Sequence, residues 1–71
     1  MSAPQPAKIE ERARLSRADV AARLHELAEQ IAQGQLRFKQ GAAFVAELIE
    51  FELEYEREHG MSELTIDLEW R

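Results

Sequence analysis

The chain contains no cysteine, and only two prolines and three glycines occur among its 71 residues. The absence of cysteine excludes disulfide bridges, thiolate zinc sites and a cysteine nucleophile. The sequence also lacks an apolar run long enough to span a bilayer and an apolar N-terminal segment of the signal-peptide kind. We therefore expect a cytoplasmic protein with no membrane partner, and its short length allows one domain at most.

Negative charge is concentrated in the second part of the chain. Up to Ala43 there are seven basic and five acidic residues, whereas from Phe44 onward there are two basic and nine acidic residues, which together give the net charge of −5. A surface of this sign repels phosphate groups and attracts cations. We therefore predict no nucleic-acid partner, and a basic protein is a possible partner.

Residues 1–14 are predicted to form a flexible N-terminal leader, and residues 15–71 a single domain. Pro4 and Pro6 lie among small and polar residues. Such a segment offers little apolar surface to bury in return for the entropy that ordering costs.

A helix is predicted from the segment LSRADVAARLHELAEQIAQG. Ser16 is suited to the N-cap position, with Asp19 three residues later as a variant of the capping box. Gly34 stands where a left-handed residue ends a helix. Apolar residues recur at helical spacing and form one stripe: Val20, Leu24, Leu27 and Ile31.

Three strands are predicted after the helix. The segment QLRFKQG alternates apolar and basic residues before Gly41 ends the pattern. From Ile49 to Glu56 the chain alternates an apolar residue with a glutamate, and ELTIDLEW repeats this alternation after a turn in REHGMS. A period of two is typical of a strand that is buried on one side, so the last two segments are predicted to form a long hairpin.

A helical interpretation of the acidic segment is the alternative. Phe44, Leu48, Phe51 and Tyr55 also recur at helical spacing, and Ala, Glu and Leu favour helices. On a helix, however, Ile49 and Leu53 would lie outside the apolar stripe. The strand accounts for every position from 49 to 56, and the adjacent apolar pair at 48 and 49 indicates a bulge or the start of the strand.

The fold class predicted from these elements is α+β. One N-terminal amphipathic helix packs on a three-stranded antiparallel meander in the order αβββ. The inward-facing apolar residues of all four elements make up the predicted core: Val20, Leu24, Leu27, Ile31, Leu36, Phe38, Ile49, Phe51, Leu53, Leu64, Ile66, Leu68 and Trp70.

The helix opening LSRADVAARLHELAEQI, the stretch GQLRF, the acidic EFELEYERE and the terminal ELTIDLEW resemble the amphi-Trp domain family. The family is named for an amphipathic segment that closes on tryptophan. The resemblance covers roughly residues 15–70 and implies a compact domain of unassigned biochemical role. It implies no catalytic residue for this chain.

No catalytic, cofactor or metal site is predicted. His25 and His59 lack the spacing of a metal-binding pair, and the three glycines are too far apart to form a phosphate-binding loop. We therefore predict a protein that is not an enzyme and that needs no cofactor.

One face of the long hairpin is predicted to be acidic, because alternate residues of a strand point to the same side. This face is either a solvated surface that keeps the domain soluble, or a docking surface for a basic peptide or weakly held divalent cations. A second copy could supply such a basic segment through Arg12, Arg14 and Arg17. The carboxylates concerned are Glu50, Glu52, Glu54, Glu56, Glu63, Asp67 and Glu69.

Self-association is predicted on the other face of the sheet. A helix about 10 to 12 Å wide cannot cover three strands, which span roughly 14 Å. The row formed by Leu64, Ile66, Leu68 and Trp70 is then partly exposed, and a homodimer would hide it. Ile9, Ala13 and Leu15 offer a cover from within the chain instead.

The function predicted from the sequence is a small non-catalytic interaction or assembly module, and the alternative is an acidic binding face.

Overall fold

The computed structural model describes residues 7–71, which form one helix followed by two β-hairpins. The predicted α+β class is confirmed. The predicted three-stranded meander is wrong, because four strands form two separate two-stranded antiparallel sheets, β1–β2 and β3–β4. The elements in chain order are α1 (Arg17–Gln33), β1 (Gln35–Phe38), β2 (Gly41–Phe44), β3 (Glu50–Glu58) and β4 (Met61–Glu69).

Both predicted ends of the helix are confirmed. The Ser16 side chain accepts a hydrogen bond from the backbone N–H of Asp19 at 3.1 Å, which satisfies one of the donors left unpaired in the first turn. Gly34 ends the helix with a φ of +83°, and its N–H donates to the Ile31 carbonyl at 3.0 Å. A left-handed residue at this point lets the chain turn directly into β1.

The strand β2 is the element that the sequence does not predict. Its segment, GAAF, is poor in the β-branched and aromatic residues that favour strands. Pairing with β1 decides its conformation, with Leu36 opposite Ala43 and Arg37 opposite Ala42. Backbone hydrogen bonds between the two strands outweigh a weak local preference here.

The long hairpin is formed as predicted, but its strands extend further into the segment REHGMS than predicted and leave a two-residue turn. Glu58 pairs with Met61, and the two residues between them, His59 and Gly60, have φ values of +51° and +76°. Positive φ at both central residues is the signature of a type I′ turn, whose twist matches that of the strands. The start of β3 at Glu50 agrees with the predicted change of structure at residues 48 and 49.

We expect substitutions in this turn to change stability in opposite directions. His59→Asn should raise the free energy of unfolding by about 0.5–1 kcal/mol, because asparagine tolerates positive φ better than histidine does. Gly60→Ala should lower it by about 1 kcal/mol. The loss of stability in Gly60→Ala is purely conformational, since a Cβ at Gly60 meets no atom within 4 Å. Urea denaturation measures both changes, and equal stability of the three proteins would contradict the turn assignment.

The predicted core is largely wrong, because most of its members are accessible to solvent. Among residues 7–71 only Val45, which was not predicted, is buried, with 4% of its surface exposed. The predicted core residues fall into two groups: Val20, Leu24, Phe51, Leu53, Leu64 and Ile66 are exposed, and Leu27, Ile31, Leu36, Phe38, Ile49, Leu68 and Trp70 are half-buried.

The reason for this exposure is the position of the helix. Within the described part of the chain, α1 packs against β1 and does not contact the long hairpin. The molecule is accordingly elongated, with dimensions of 49 × 24 × 21 Å and a radius of gyration of 14.2 Å. A compact domain of this length has a radius of gyration of about 11 Å.

Two hydrogen bonds join the base of the long hairpin, which is the end opposite its turn, and the connector that precedes it to the first half of the fold. The Trp70 indole N–H donates to the Phe44 carbonyl at 2.8 Å and joins the end of β4 to β2. The backbone N–H of Val45 donates to the Gly34 carbonyl at 2.9 Å. The connector between β2 and β3 is therefore attached to the end of the helix.

No helix in residues 7–71 is long and apolar enough to cross a membrane.

Candidate functional site

The long hairpin separates its side chains into two chemically different faces. In the register of β3 and β4, Phe51 lies opposite Leu68, Leu53 opposite Ile66, and Tyr55 opposite Leu64. Directly opposed residues point to the same side of a sheet. We call this surface the apolar face, and it consists of Phe51, Leu53, Tyr55, Leu64, Ile66 and Leu68.

The apolar face is open along its length. The exposed fractions are 65% for Phe51, 64% for Tyr55 and 59% for Leu64, whereas Leu68, at the base, is half-buried. The Tyr55 hydroxyl and the Ser62 hydroxyl are 3.1 Å apart, which links the two strands near the tip of this face. Three of the four residues predicted for self-association, Leu64, Ile66 and Leu68, share the face. The fourth, Trp70, lies just beyond β4 and joins the hairpin to β2.

The opposite surface carries the predicted carboxylates. The structure brings all seven to one side of the hairpin and adds Glu58, which was not predicted because Arg57 interrupts the apolar row. Three pairs of like charges lie directly opposite each other: Glu50 and Glu69, Glu52 and Asp67, and Glu56 and Glu63. Like charges in this arrangement repel and destabilise a hairpin. We call this surface the acidic face, and it consists of Glu50, Glu52, Glu54, Glu56, Glu58, Glu63, Asp67 and Glu69.

A second apolar surface runs along α1. Successive residues of a helix are rotated by about 100°, so Val20, Ala21, Leu24 and Ala28 fall within one sector of roughly that width. All four are exposed, and 43% of Val20 and 45% of Leu24 are accessible. We call this sector the helix strip. The other two large apolar residues of the helix, Leu27 and Ile31, are half-buried.

The chain before the helix lies against α1 and not on the hairpin. The Glu11 carboxylate accepts two hydrogen bonds from the Arg23 guanidinium, at 2.8 and 3.1 Å. These bonds and the positive charge of Arg23 lower the pKa of Glu11. Because the pKa is lowered in the folded state, the stabilisation is present above the unfolded pKa and is lost as pH falls through the folded pKa.

The cover predicted from Ile9, Ala13 and Leu15 is therefore not formed. Ile9 is half-buried beside Arg23 and Phe38, and Ala13 and Leu15 are exposed. Residues 7–15 contain no helix or strand, and residues 1–6 lie outside the described range. The flexible leader over residues 1–14 stays a prediction.

The two histidines are far apart in the fold, with His25 on α1 and His59 in the turn of the long hairpin. Across residues 7–71, no three His, Asp or Glu side chains are arranged to hold a metal ion. The structure instead forms three distinct surfaces: the apolar face and the acidic face on the long hairpin, and the helix strip on α1.

Over residues 7–71 these features define a small α+β fold with one helix and two hairpins, the second of which is amphipathic and is followed by a tryptophan. The chain belongs to the Amphi-Trp domain family, whose model matches residues 3–71. The resemblance noted in the sequence is thus confirmed. Comparison with curated proteins gives no match, and comparison with solved structures gives none either.

Proposed function

We propose that the protein is a non-catalytic assembly module of the cytoplasm that self-associates, as a homodimer, through the apolar face. The observation that carries this proposal is the exposure of five large apolar side chains on one side of a single hairpin. An isolated two-stranded hairpin is at best marginally stable in water, and packing against a further element is what stabilises it. Contiguous apolar surfaces of this kind mark interaction sites.

The amount of accessible surface supports a partner of substantial size. The chain exposes 6936 Å², whereas a compact monomer of this size exposes about 4,500 Å². Residues 1–6 can account for at most about 900 Å² of the difference, which is the whole accessible surface of an unfolded segment of that mass. More than about 1,000 Å² per chain is left, and a standard protein interface buries about 800 Å² on each partner.

The charges support a non-catalytic role. Acid–base catalysis by two carboxylates needs environments that drive their pKa values apart, and such environments are usually enclosed. The carboxylates of the acidic face all lie on one open side of a two-stranded sheet.

The second candidate function is the binding of a basic peptide or of weakly held divalent cations at the acidic face. The three directly opposed pairs of like charges favour it, because a cation would relieve their repulsion.

Adjacent lysine substitutions on the two faces test the proposal. Leu64→Lys places a charge on the apolar face, and Glu63→Lys places the same group on the acidic face, one residue away and also exposed. We expect Leu64→Lys to convert the dimer into a monomer, because an ammonium group buried without a partner is strongly unfavourable. We expect Glu63→Lys to leave the dimer intact. Light scattering on a sizing column, over a hundredfold range of protein concentration, measures both.

The same pair of variants separates the two candidate functions. A wild-type protein that is monomeric at every concentration would contradict self-association. Calorimetric titration with calcium, with magnesium and with an oligolysine peptide tests the acidic face, and binding that is lost in Glu63→Lys but kept in Leu64→Lys would support the second candidate.

A further inference from the structure

We infer that the surface which covers the apolar face is the helix strip of a second copy. Two chains then exchange their long hairpins, so that each helix packs on the hairpin of its partner. This inference rests on the proposed self-association and specifies the surfaces that meet. The mode of pairing is distinct from a dimer in which two hairpins stack face to face.

The first argument is that each chain has two open apolar surfaces. The helix strip and the apolar face are both exposed, and within the described residues they do not contact each other. Stacking of two hairpins would cover the apolar faces and leave both helix strips in water. Packing of each helix on the partner's hairpin covers all four surfaces in one symmetric arrangement, in which the same two patches are used on both chains.

The second argument is that the two surfaces match in size. The 17 residues of α1 give a helix about 25 Å long, and the nine-residue strands of the hairpin span about 30 Å. A helix with its side chains is about 10–12 Å wide, and two strands with a spacing of about 4.8 Å form a face of similar width. One helix therefore covers one hairpin, whereas it could not cover a sheet of three strands.

The third argument is that the base of the hairpin keeps the two surfaces of one chain apart. Val45, the one buried residue of the described range, is bonded to Gly34 at the end of the helix, and Trp70 is bonded to Phe44. Helix and hairpin extend from this common base, and the longest dimension of the molecule, 49 Å, approaches the sum of their lengths. A second copy can place its helix on the hairpin without breaking these contacts.

Charge also favours a helix on the apolar face. Arg17, in the first turn, is the one charged residue within the sector of the helix strip. The hairpin of the partner carries eight carboxylates on its acidic face and has only Arg57, near its tip, as a positive charge. An Arg17 side chain at the rim of the interface would lie in the negative field of these carboxylates, which favours this pairing over two acidic hairpins stacked together.

Two alanines on opposite sides of α1 provide the matched test. Ala28 lies in the helix strip, Ala22 lies about 120° away around the helix, and both are exposed. We expect Ala28→Glu to raise the dissociation constant of the dimer by at least roughly a hundredfold, because it buries an unpaired carboxylate. Ala22→Glu, with the same chemistry, should leave the constant within about threefold of wild type. Light scattering over a dilution series measures the constants, and circular dichroism verifies that both helices are intact.

Isotope-filtered NOE spectroscopy tests the contact without any substitution. Equal amounts of ¹³C-labelled and unlabelled chain are unfolded, mixed and refolded, so that only contacts between chains are detected. We expect contacts from the Leu24 methyl groups to Leu53 and Ile66 of the other chain. A dimer whose contacts run only between hairpins, or one that Ala28→Glu leaves intact, would overturn the exchange while self-association stands. A monomeric wild type would instead overturn the proposed function.

Discussion

Thermal unfolding of the protein will shift to lower temperature on dilution, and a hundredfold dilution should lower Tm by about 5–10 °C. The reason is that the apolar face lacks a cover within the described chain, so that folding and association are coupled in the proposed dimer. For a dimer, a hundredfold dilution removes about 2.7 kcal/mol of stabilisation by mass action. Circular dichroism melts at several protein concentrations measure the shift.

The Leu64→Lys variant is the control for this result. Its melting temperature should be lower than that of the wild type and independent of concentration, because its apolar face no longer associates. A wild-type Tm that stays constant over the same dilution series would mean that the chain is stable alone. Such a result would contradict both the proposed assembly and the hairpin exchange.

Reversing two charges on the acidic face should raise Tm by a similar amount. Glu52→Lys combined with Glu56→Lys turns two pairs of like charge, with Asp67 and Glu63, into pairs of opposite charge. Cross-strand pairs of this kind contribute about 0.2–1 kcal/mol each, so removing two repulsions and adding two attractions should stabilise by about 1–2 kcal/mol. The expected rise in Tm is about 5–10 °C.

Glu29→Lys combined with Glu47→Lys is the matched control, because it changes the net charge equally at two exposed positions outside the hairpin. It should change stability by less than about 0.5 kcal/mol. Added salt should stabilise the wild type and the control, by screening repulsion, more than it stabilises the reversed variant. A reversed variant that melts no higher than the control would show that repulsion across the strands costs little.

The two faces of the long hairpin have complementary effects in the proposed dimer. The apolar face drives association, and the acidic face opposes it, because two carboxylate surfaces repel each other and the exposed edges of β3 and β4 would bring further like charges together. Assembly is then limited to partners that approach from the apolar side.

Part of this structure follows from local sequence alone. Ser16 and Gly34 mark both ends of α1, because capping depends on a side-chain oxygen and a left-handed backbone within one turn of the helix. The strict alternation around Phe51 and Ile66 determines both strands of the long hairpin and the two faces they form, since the pleat repeats every two residues. The family was also identifiable from these segments.

Tertiary structure decided the rest. An apolar stripe requires a cover but does not specify which surface supplies it, so the sequence could not show that α1 packs on β1 and leaves the long hairpin open. Segment 41–44 becomes a strand only because β1 offers a partner for its backbone hydrogen bonds. Val45 is buried at the point where its backbone N–H donates to the Gly34 carbonyl at the end of the helix, a contact between residues distant in the sequence that no local pattern records.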